Sequence, residues 1–162
     1  MNKSLKLWSN LLLVAVGLNI MLGLALTFSP DIVKNTVYRL YTDFYYGRGG
    51  AFDALSASEV TLQAWFFGFA GAVIVGWMVA LGMIIHIPFR RGEKWAWVTI
   101  LISSVSWFFL DSFTSAVNGM AINLIPNIIT IIAFLIALGA TYRTFFGASA
   151  EKRELVPSQK SA

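Results

Sequence analysis

Residues 107–130 read WFFLDSFTSAVNGMAINLIPNIIT, and this stretch predicts two apolar helices joined by a tight turn. Polar side chains stand at residues 111, 115 and 118 before the turn and at residues 123, 127 and 130 after it. Spacings of four and three residues place each set on one helical face. An antiparallel hairpin folded about residues 120 and 121 would bring the two faces together. The expected pairs are Asn118 with Asn123, Ser115 with Asn127, and Asp111 with Thr130.

The whole chain has the composition of an integral membrane protein. Of its 162 residues 57% are apolar, and the mean hydropathy is +0.71. Four apolar blocks each reach the ~20 residues that a helix needs to cross a bilayer core of ~30 Å. We therefore expect an all-α integral membrane fold, a four-transmembrane-helix bundle in a single domain over residues 1–147. The expected spans are residues 7–29, 59–87, 95–118 and 123–146, followed by a flexible cytoplasmic tail over residues 148–162.

The chain contains no cysteine and one histidine, His86. The absence of cysteine excludes disulfides, thiolate catalysis and cysteine metal sites. One histidine cannot supply both axial ligands of a b-type haem in a four-helix protein. We expect no cofactor, no metal and no nucleic-acid partner, and we expect the lipid bilayer to be the main partner. His86 is interpreted as an interfacial residue near Arg90 and Arg91.

The first apolar block begins after Lys3 and Lys6, a start that is also found in signal peptides. The block is longer than an ordinary signal-peptide core and lacks a clear cleavage site, which favours an uncleaved first helix. Small and polar residues recur every four positions on two spans, a pattern typical of close helix packing in lipid. They are Ala15, Asn19, Gly23 and Thr27 in the first span, and Ala64, Gly68, Ala72, Gly76 and Ala80 in the second. We expect these two stripes to pack together, with Gly71 and Gly82 lying off the contact.

Residues 30–57 form the long connection of the chain and predict an interfacial, tyrosine-rich amphipathic helix between spans 1 and 2. Its expected apolar face holds Val33, Val37, Leu40, Tyr41 and Phe44, and its polar face holds Asp31, Asn35, Arg39, Thr42 and Asp43. Two interpretations are open, an interfacial anchor or a lid over the outer end of the bundle. Ser56 and Glu59 have the spacing of a capping box, which predicts the start of the second span. Pro88 is expected to end that span.

Lysine and arginine are distributed unequally between the two ends of the predicted bundle. Nine of them lie before the first span, in the loop of residues 88–94 or after residue 142, whereas three lie in the long connection. By the positive-inside rule, both termini are expected in the cytoplasm and the protein in the cell inner membrane. The turn of the last two spans then faces outward.

One acidic side chain, Asp111, lies deep inside an expected span, roughly 10 Å from its outer end at a helix rise of ~1.5 Å per residue. A carboxylate at the bilayer centre costs ~2.5–3.5 kcal/mol on insertion scales, and such residues are functional candidates. The alternative is that Asp111 only holds the hairpin together by hydrogen bonds. Polar groups on the other helices point at the same outer half, which indicates a polar pocket opening outward. The ligand-binding candidates are Asp111, Ser115, Asn118, Asn123, Asn127, Thr130, Gln63 and Asn19.

Three functions are compatible with such a pocket. The leading hypothesis is a non-enzymatic membrane protein that binds a small or lipidic ligand, or a partner transmembrane helix. The second is a membrane enzyme acting on a lipid, steroid or quinone, with Asp111 as its acid or base. The third is a small proton-coupled transporter. The sequence contains no recognisable nucleophile with a base, carboxylate pair, phosphate loop or metal set, which favours binding over catalysis.

The residues of the last three spans resemble a family pattern. It runs through Gly68, Gly71 and Gly76-Trp77, then Trp107-Phe108, Asp111-Ser112, Ser115, Gly119, Asn123 and Asn127. Over residues 60–140 the chain resembles small, uncharacterised four-helix inner-membrane proteins of bacteria, broadly DoxX-like. The resemblance implies a four-helix membrane fold and an inner-membrane location. It implies no established activity, and it assigns no role to the shared polar residues.

Overall fold

The computed structural model describes residues 3–28 and 30–147, which are largely helical and contain no β-strand. The helices are α1 (Lys3–Phe28), α2 (Pro30–Val33), α3 (Arg39–Tyr45), α4 (Ala57–Ile84), α5 (Lys94–Val117) and α6 (Leu124–Phe146). Four helical segments are long and apolar enough to cross a membrane: Lys3–Phe28, Ala57–Phe89, Lys94–Val117 and Ala121–Phe146. The expected all-helical architecture with four candidate spans is confirmed. The expected end of the first span at residue 29 and the tail of residues 148–162 lie outside the described residues.

Helix α1 is the central packing partner, since it lies against both α4 and α6, and α5 packs on α6. Leu12, Ile100 and Phe134 belong to the shared apolar core, and each is at most 2% exposed. The rings of Trp77 and Trp107 meet across α4 and α5, with centroids 5.6 Å apart. We call the end of the bundle with residues 30–56 and 118–123 the distal end. The proximal end carries residue 3 and residues 90–93.

Two glycines, Gly23 and Gly71, make the closest approach between α1 and α4. A Cβ at Gly71 would lie 2.5 Å from the carbonyl oxygen of Gly23, and a Cβ at Gly23 would lie 2.7 Å from the carbonyl oxygen of Gly71. Both distances are too short for any side chain, so this crossing requires glycine on both helices. The hydroxyl of Thr27 adds a hydrogen bond across the same contact, donating to the carbonyl oxygen of Gly68 at 3.3 Å.

The small-residue stripe expected on α4 faces away from α1 over most of its length. Ala72, Gly76 and Ala80 are exposed, and a Cβ at Gly76 would meet nothing within 4 Å. The prediction that Gly71 lies off the contact was therefore wrong. Small residues occur on two faces of this helix. Because an α-helix has 3.6 residues per turn, residues that recur every four positions lie on a line that winds slowly around the helix. The spacing alone could not indicate which face meets α1.

Helices α2 and α3 form one continuous segment through a π-helical turn, Lys34–Tyr38. A π-helical turn contains more residues than an α-helical turn. As a result, Val33 and Tyr38, five residues apart, share the buried face with Thr42. The face expected from a regular helix was partly wrong. Thr42, expected on the polar face, is buried, and Phe44, expected on the apolar face, is 42% exposed.

The α2–α3 segment packs on the distal part of α4. The ring of Tyr38 stacks on Phe67 of α4 with centroids 4.6 Å apart, and the ring of Tyr41 meets Phe67 edge to face at 5.5 Å. Arg39 holds the end of the segment through two hydrogen bonds to the carboxylate of Asp53, at 2.6 and 2.7 Å. These contacts favour the interpretation of the segment as a cover for the distal end.

The two ends of the second span differ in how well the sequence indicates them. The expected capping box is confirmed, because Glu59 N–H donates to Ser56 Oγ at 3.3 Å and Ser56 N–H donates to Glu59 Oε2 at 2.7 Å. Pro88 does not end the helix, which continues through a second π-helical turn, Ile85–Phe89. Proline lacks an N–H and disturbs a regular helix, and a wider turn accommodates that defect. The chain reverses instead at Gly92, where φ is 79°.

Candidate functional site

Asp111 is the centre of a hydrogen-bonded network between α5 and α6. Asn123 Nδ2 donates to Asp111 Oδ2 at 2.9 Å, and Asn127 Nδ2 donates to the same oxygen at 2.5 Å. Asn127 is only 3% exposed, and its Nδ2 also lies 3.3 Å from Ser112 Oγ. Two amide donors on one carboxylate oxygen compensate for the removal of that oxygen from water. The network therefore joins the two helices without leaving its buried amide unpaired.

The hairpin folds about Gly119, and not about residues 120 and 121 as expected. Gly119 has a φ of 71°, a left-handed conformation that glycine adopts without strain. A 3₁₀ turn, Ala121–Asn123, follows before α6 begins. Because of this 3₁₀ turn, the register of the hairpin differs from the expected register by about one turn of helix. The observed pairs are Asp111 with Asn127, and Ser115 with Asn123 at 2.9 Å.

Four of the candidate residues lie outside the network: Gln63, which bonds to Thr42 of α3, and Asn118, Asn19 and Thr130. Asn118 donates to the carbonyl oxygen of Thr114 in its own helix at 2.8 Å, and Asn19 donates to that of Ala15 at 2.9 Å. Thr130 is half-buried one turn beyond the network on α6. The expected pairings of Asn118 and Thr130 were wrong, because the hairpin register differs by one turn. Asn19 satisfies its amide locally and contributes no hydrogen bond to the network.

Tyr41 of α3 connects the network to the distal cover. Its hydroxyl donates to Asn123 Oδ1 at 2.6 Å. Asn123 occupies the N-cap position of α6, yet its side chain makes no capping hydrogen bond. It serves as a bridge between Tyr41 and Asp111 instead. Burial, and to a smaller extent the Asp111 carboxylate, raises the pKa of Tyr41 above its ordinary value. The phenol therefore stays protonated and remains a donor at physiological pH.

A cavity of about 220 Å³ lies between α3, the start of α4 and the hairpin turn. We call it the distal cavity. Helix α3 lines it with Tyr41, Thr42 and Tyr45, and Tyr46 at the C-terminal cap of this helix also lines it. Helix α4 lines it with Glu59 and Gln63, and the adjacent turns contribute Leu55 and Met120. Because Tyr41 belongs to both the network and the lining, the network fixes one wall of the cavity.

Gln63, which lines the distal cavity, has a side-chain acceptor without a hydrogen-bond partner. Its Nε2 donates to Thr42 Oγ1 at 3.0 Å and lies 3.5 Å from the carbonyl oxygen of Tyr38. Its Oε1 is buried and has no hydrogen-bond partner among the described residues. A buried acceptor without a partner costs ~1–3 kcal/mol. A ligand that donates a hydrogen bond to this oxygen would remove that cost.

Gln63, one of the expected ligand-binding candidates, lines the distal cavity, whereas Tyr41 and Thr42 line it and were not among the expected candidates. A regular helical pattern places Thr42 on the polar face and Tyr41 among interfacial anchors. The π-helical turn that redirects both side chains has no sequence signature of its own. The density of tyrosines at residues 38–46 was the signal that could have indicated a binding surface here.

The chemistry of the distal end suits binding. No group of three or more His, Cys, Asp or Glu residues that could hold a metal ion occurs in residues 3–28 and 30–147. The hydroxyls of Ser112 and Ser115 accept hydrogen bonds from asparagine amides. An activated serine nucleophile needs instead a base that accepts its proton. The arrangement therefore offers recognition groups in place of a nucleophile and its base.

Another cavity, of about 280 Å³, lies on the side of the bundle between α1 and α6. Its lining is apolar and extends from Trp8 to Leu18 on α1 and from Ala133 to Ala137 on α6. Apart from the indole of Trp8, its lining side chains have no polar group that could orient a ligand, so the distal cavity is the better candidate site.

Comparisons with protein-family models, with curated proteins and with solved structures gave no significant match to this chain. The architecture of the described residues defines their class: an all-helical protein with four helices long and apolar enough to cross a membrane. Its distal end combines a buried polar network with a cavity lined in part by Gln63, whose Oε1 has no hydrogen-bond partner among the described residues.

Proposed function

We propose that this chain is a multi-pass membrane protein that binds a lipid-like amphiphile, with the polar group of the ligand in the distal cavity. The observation that carries the proposal is the buried, unpaired Oε1 of Gln63 beside a tyrosine-lined wall. A volume of about 220 Å³ is below the ~300–1,000 Å³ of pockets that enclose drug-sized ligands. The cavity therefore suits a headgroup, and the hydrocarbon part of the ligand stays outside it.

The surface of α4 next to Gln63 suits a hydrocarbon chain. Leu62 and Phe66 lie within one helical turn of Gln63, and each is 56% exposed. Exposed apolar side chains on a membrane-spanning helix meet lipid tails. A ligand with its headgroup at Gln63 can thus place its chain along this surface without leaving the bilayer.

In this proposal the Asp111 network is a support for the binding wall. Asp111 orients Asn123, and Asn123 in turn holds the hydroxyl of Tyr41. Asp111 is therefore a positioning residue, one step removed from the ligand. The enzyme and transporter hypotheses stay predictions, since each requires the carboxylate itself to reach a substrate or a proton.

We place the protein in the cell inner membrane with both termini in the cytoplasm, on the strength of the nine-to-three distribution of lysine and arginine. The resemblance to small DoxX-like proteins agrees with this location and stays a prediction. Because the chain has no native cysteine, single cysteines at Glu93 and Gly49 test the orientation. An impermeant thiol reagent added to intact cells should label the cysteine at Gly49 and leave that at Glu93 unlabelled. The reverse result would overturn the orientation.

Lipid binding is tested by native mass spectrometry of delipidated protein titrated with a defined phospholipid. The wild type should take up one lipid per chain. Met120→Trp fills part of the distal cavity and should weaken binding about tenfold or more. The control Val117→Trp changes a side chain that is 63% exposed and outside the lining, so it should bind as the wild type does. Equal binding by the two variants would contradict the proposed site.

A measurement on the unaltered protein covers the case in which Met120→Trp does not fold. Added lipid should slow hydrogen–deuterium exchange at residues 41–46 and leave residues 90–93 at the proximal end unchanged. Binding without protection of residues 41–46 would place the lipid elsewhere and overturn the proposal.

A further inference from the structure

The distal cavity offers a ligand acceptors and aromatic rings, and no lysine, arginine or histidine lines it. Glu59 and Gln63 are four residues apart on α4, so their side chains share one helical face. The first carries a carboxylate, and the second carries the unpaired Oε1. The rings of Tyr45 and Tyr46 stand edge to face, with centroids 5.2 Å apart. Carboxylates and tyrosine faces attract cations. A phosphate placed in this lining would find no cationic partner.

The cationic group of α3 is committed elsewhere. Both terminal nitrogens of Arg39 donate to Asp53, and the guanidinium lies over the ring of Phe52, 5.3 Å from its centroid. Arg39 therefore does not compensate for the negative character of the cavity. The electrostatic balance of the lining favours the positively charged end of a headgroup over its phosphate.

The unpaired oxygen of Gln63 distinguishes between kinds of cation. A quaternary ammonium carries no N–H and would leave this buried acceptor unpaired. A primary ammonium has three N–H donors. We infer that the distal cavity takes the primary ammonium of an ethanolamine-type lipid headgroup, which donates to Gln63 Oε1 and to the Glu59 carboxylate while tyrosine rings surround it. This inference rests on the proposed function and names the ligand class of the same site.

The test compares three phospholipids with identical acyl chains in the same native mass spectrometry titration. Phosphatidylethanolamine should bind about tenfold more tightly than phosphatidylcholine or phosphatidylglycerol, which corresponds to about 1.4 kcal/mol. Gln63→Leu should lower phosphatidylethanolamine binding to the level of phosphatidylcholine binding.

Glu59→Gln removes the charge and keeps the capping box, because glutamine also serves at that position. It should weaken phosphatidylethanolamine binding several-fold. The control Asp31→Asn removes an exposed carboxylate of α2 outside the lining and should leave binding unchanged. Equal loss in Glu59→Gln and Asp31→Asn would show a general charge effect and overturn the assignment of Glu59.

The outcomes separate this inference from the proposed function. If phosphatidylglycerol or phosphatidylcholine binds as tightly as phosphatidylethanolamine, the inferred selectivity for a primary ammonium is wrong, and the proposal of lipid binding stands. Absence of binding by all three lipids would overturn the proposed function itself. Glycerophosphoethanolamine, the same headgroup without acyl chains, should compete at least a hundredfold more weakly. If it competes as strongly as the intact lipid, recognition of the primary ammonium is supported and the proposal of a lipid ligand is contradicted.

Discussion

Replacement of Gly71 by alanine tests the crossing of α1 and α4. The added Cβ would lie 2.5 Å from the carbonyl oxygen of Gly23 and 2.7 Å from Thr27 Oγ1. The first of these atoms belongs to the backbone, so a change of side-chain rotamer cannot relieve the contact. Ordinary van der Waals contact begins at 3.4 Å, so relief of the 2.5 Å distance requires a shift of about 0.9 Å between the helices.

The expected loss of stability follows from that shift. A gap of ~0.5–1 Å removes roughly a quarter to a half of the dispersion attraction between the atoms that it separates. Overpacking of a well-packed interior costs ~1–3 kcal/mol. Because the contact is with backbone, we expect Gly71→Ala to lower the free energy of unfolding by about 2 kcal/mol, within that range.

Gly76→Ala is the matched control, since it makes the same change on the same helix. Gly76 is exposed, and a Cβ there would meet nothing within 4 Å. Alanine is the better helix former by up to ~1 kcal/mol, so the control should be as stable as the wild type or more stable. The measurement is reversible unfolding in mixed micelles titrated with sodium dodecyl sulfate, followed by circular dichroism. Equal stability of the two variants would contradict the Gly23–Gly71 crossing.

Three further predictions concern the distal end. Asp111→Asn keeps an acceptor oxygen and should unfold within about 1 kcal/mol of the wild type. Asp111→Leu removes the main acceptor of the buried Asn127 amide, which keeps only Ser112 Oγ at 3.3 Å, and should cost ~1–3 kcal/mol in the same titration. Tyr41→Phe removes the hydroxyl that holds α3 to the hairpin, so it should speed hydrogen–deuterium exchange in α3 and not in α6. Unchanged exchange in α3 would show that this hydrogen bond does not hold the segment. The hydrogen bonds from Arg39 lower the pKa of Asp53, so the ion pair stabilises the fold above the unfolded-state pKa of ~3.9 and loses this effect as the pH falls through the lower folded-state value. Nuclear magnetic resonance titration of the Asp53 carboxyl should give a midpoint below ~3.9 in the wild type and one near ~3.9 in Arg39→Leu.

The sequence was sufficient for features that depend on neighbouring residues. Ser56 and Glu59 form the expected capping box because that motif needs only two residues three positions apart. Asp111 and Asn127 were recognised because polar side chains are conspicuous inside an apolar block. Their partners were assigned one turn away from the true ones, since the register depends on the backbone conformation at Gly119.

Features that depend on packing between distant segments could not be predicted in this way. The face of α4 that meets α1 is decided by the fit between Gly71 and Gly23, and the exposed Gly76 has the same local character in the sequence. The π-helical turn Lys34–Tyr38 likewise has no distinctive residue type. It turns Thr42 toward Gln63, and of the residues that line the distal cavity only Gln63 was among the expected site residues.

If the candidate spans cross a bilayer as proposed, α5 and α6 can enter it as one hairpin, because their polar partners lie close together along the chain. A lone carboxylate at the centre of a membrane helix costs ~2.5–3.5 kcal/mol on insertion scales. The amides that bind Asp111 follow only 12 and 16 residues after it. A nascent chain that has been synthesised as far as Asn127 already contains both of these donors. The carboxylate therefore takes both of these hydrogen bonds from within the hairpin and needs no donor from the first two candidate spans.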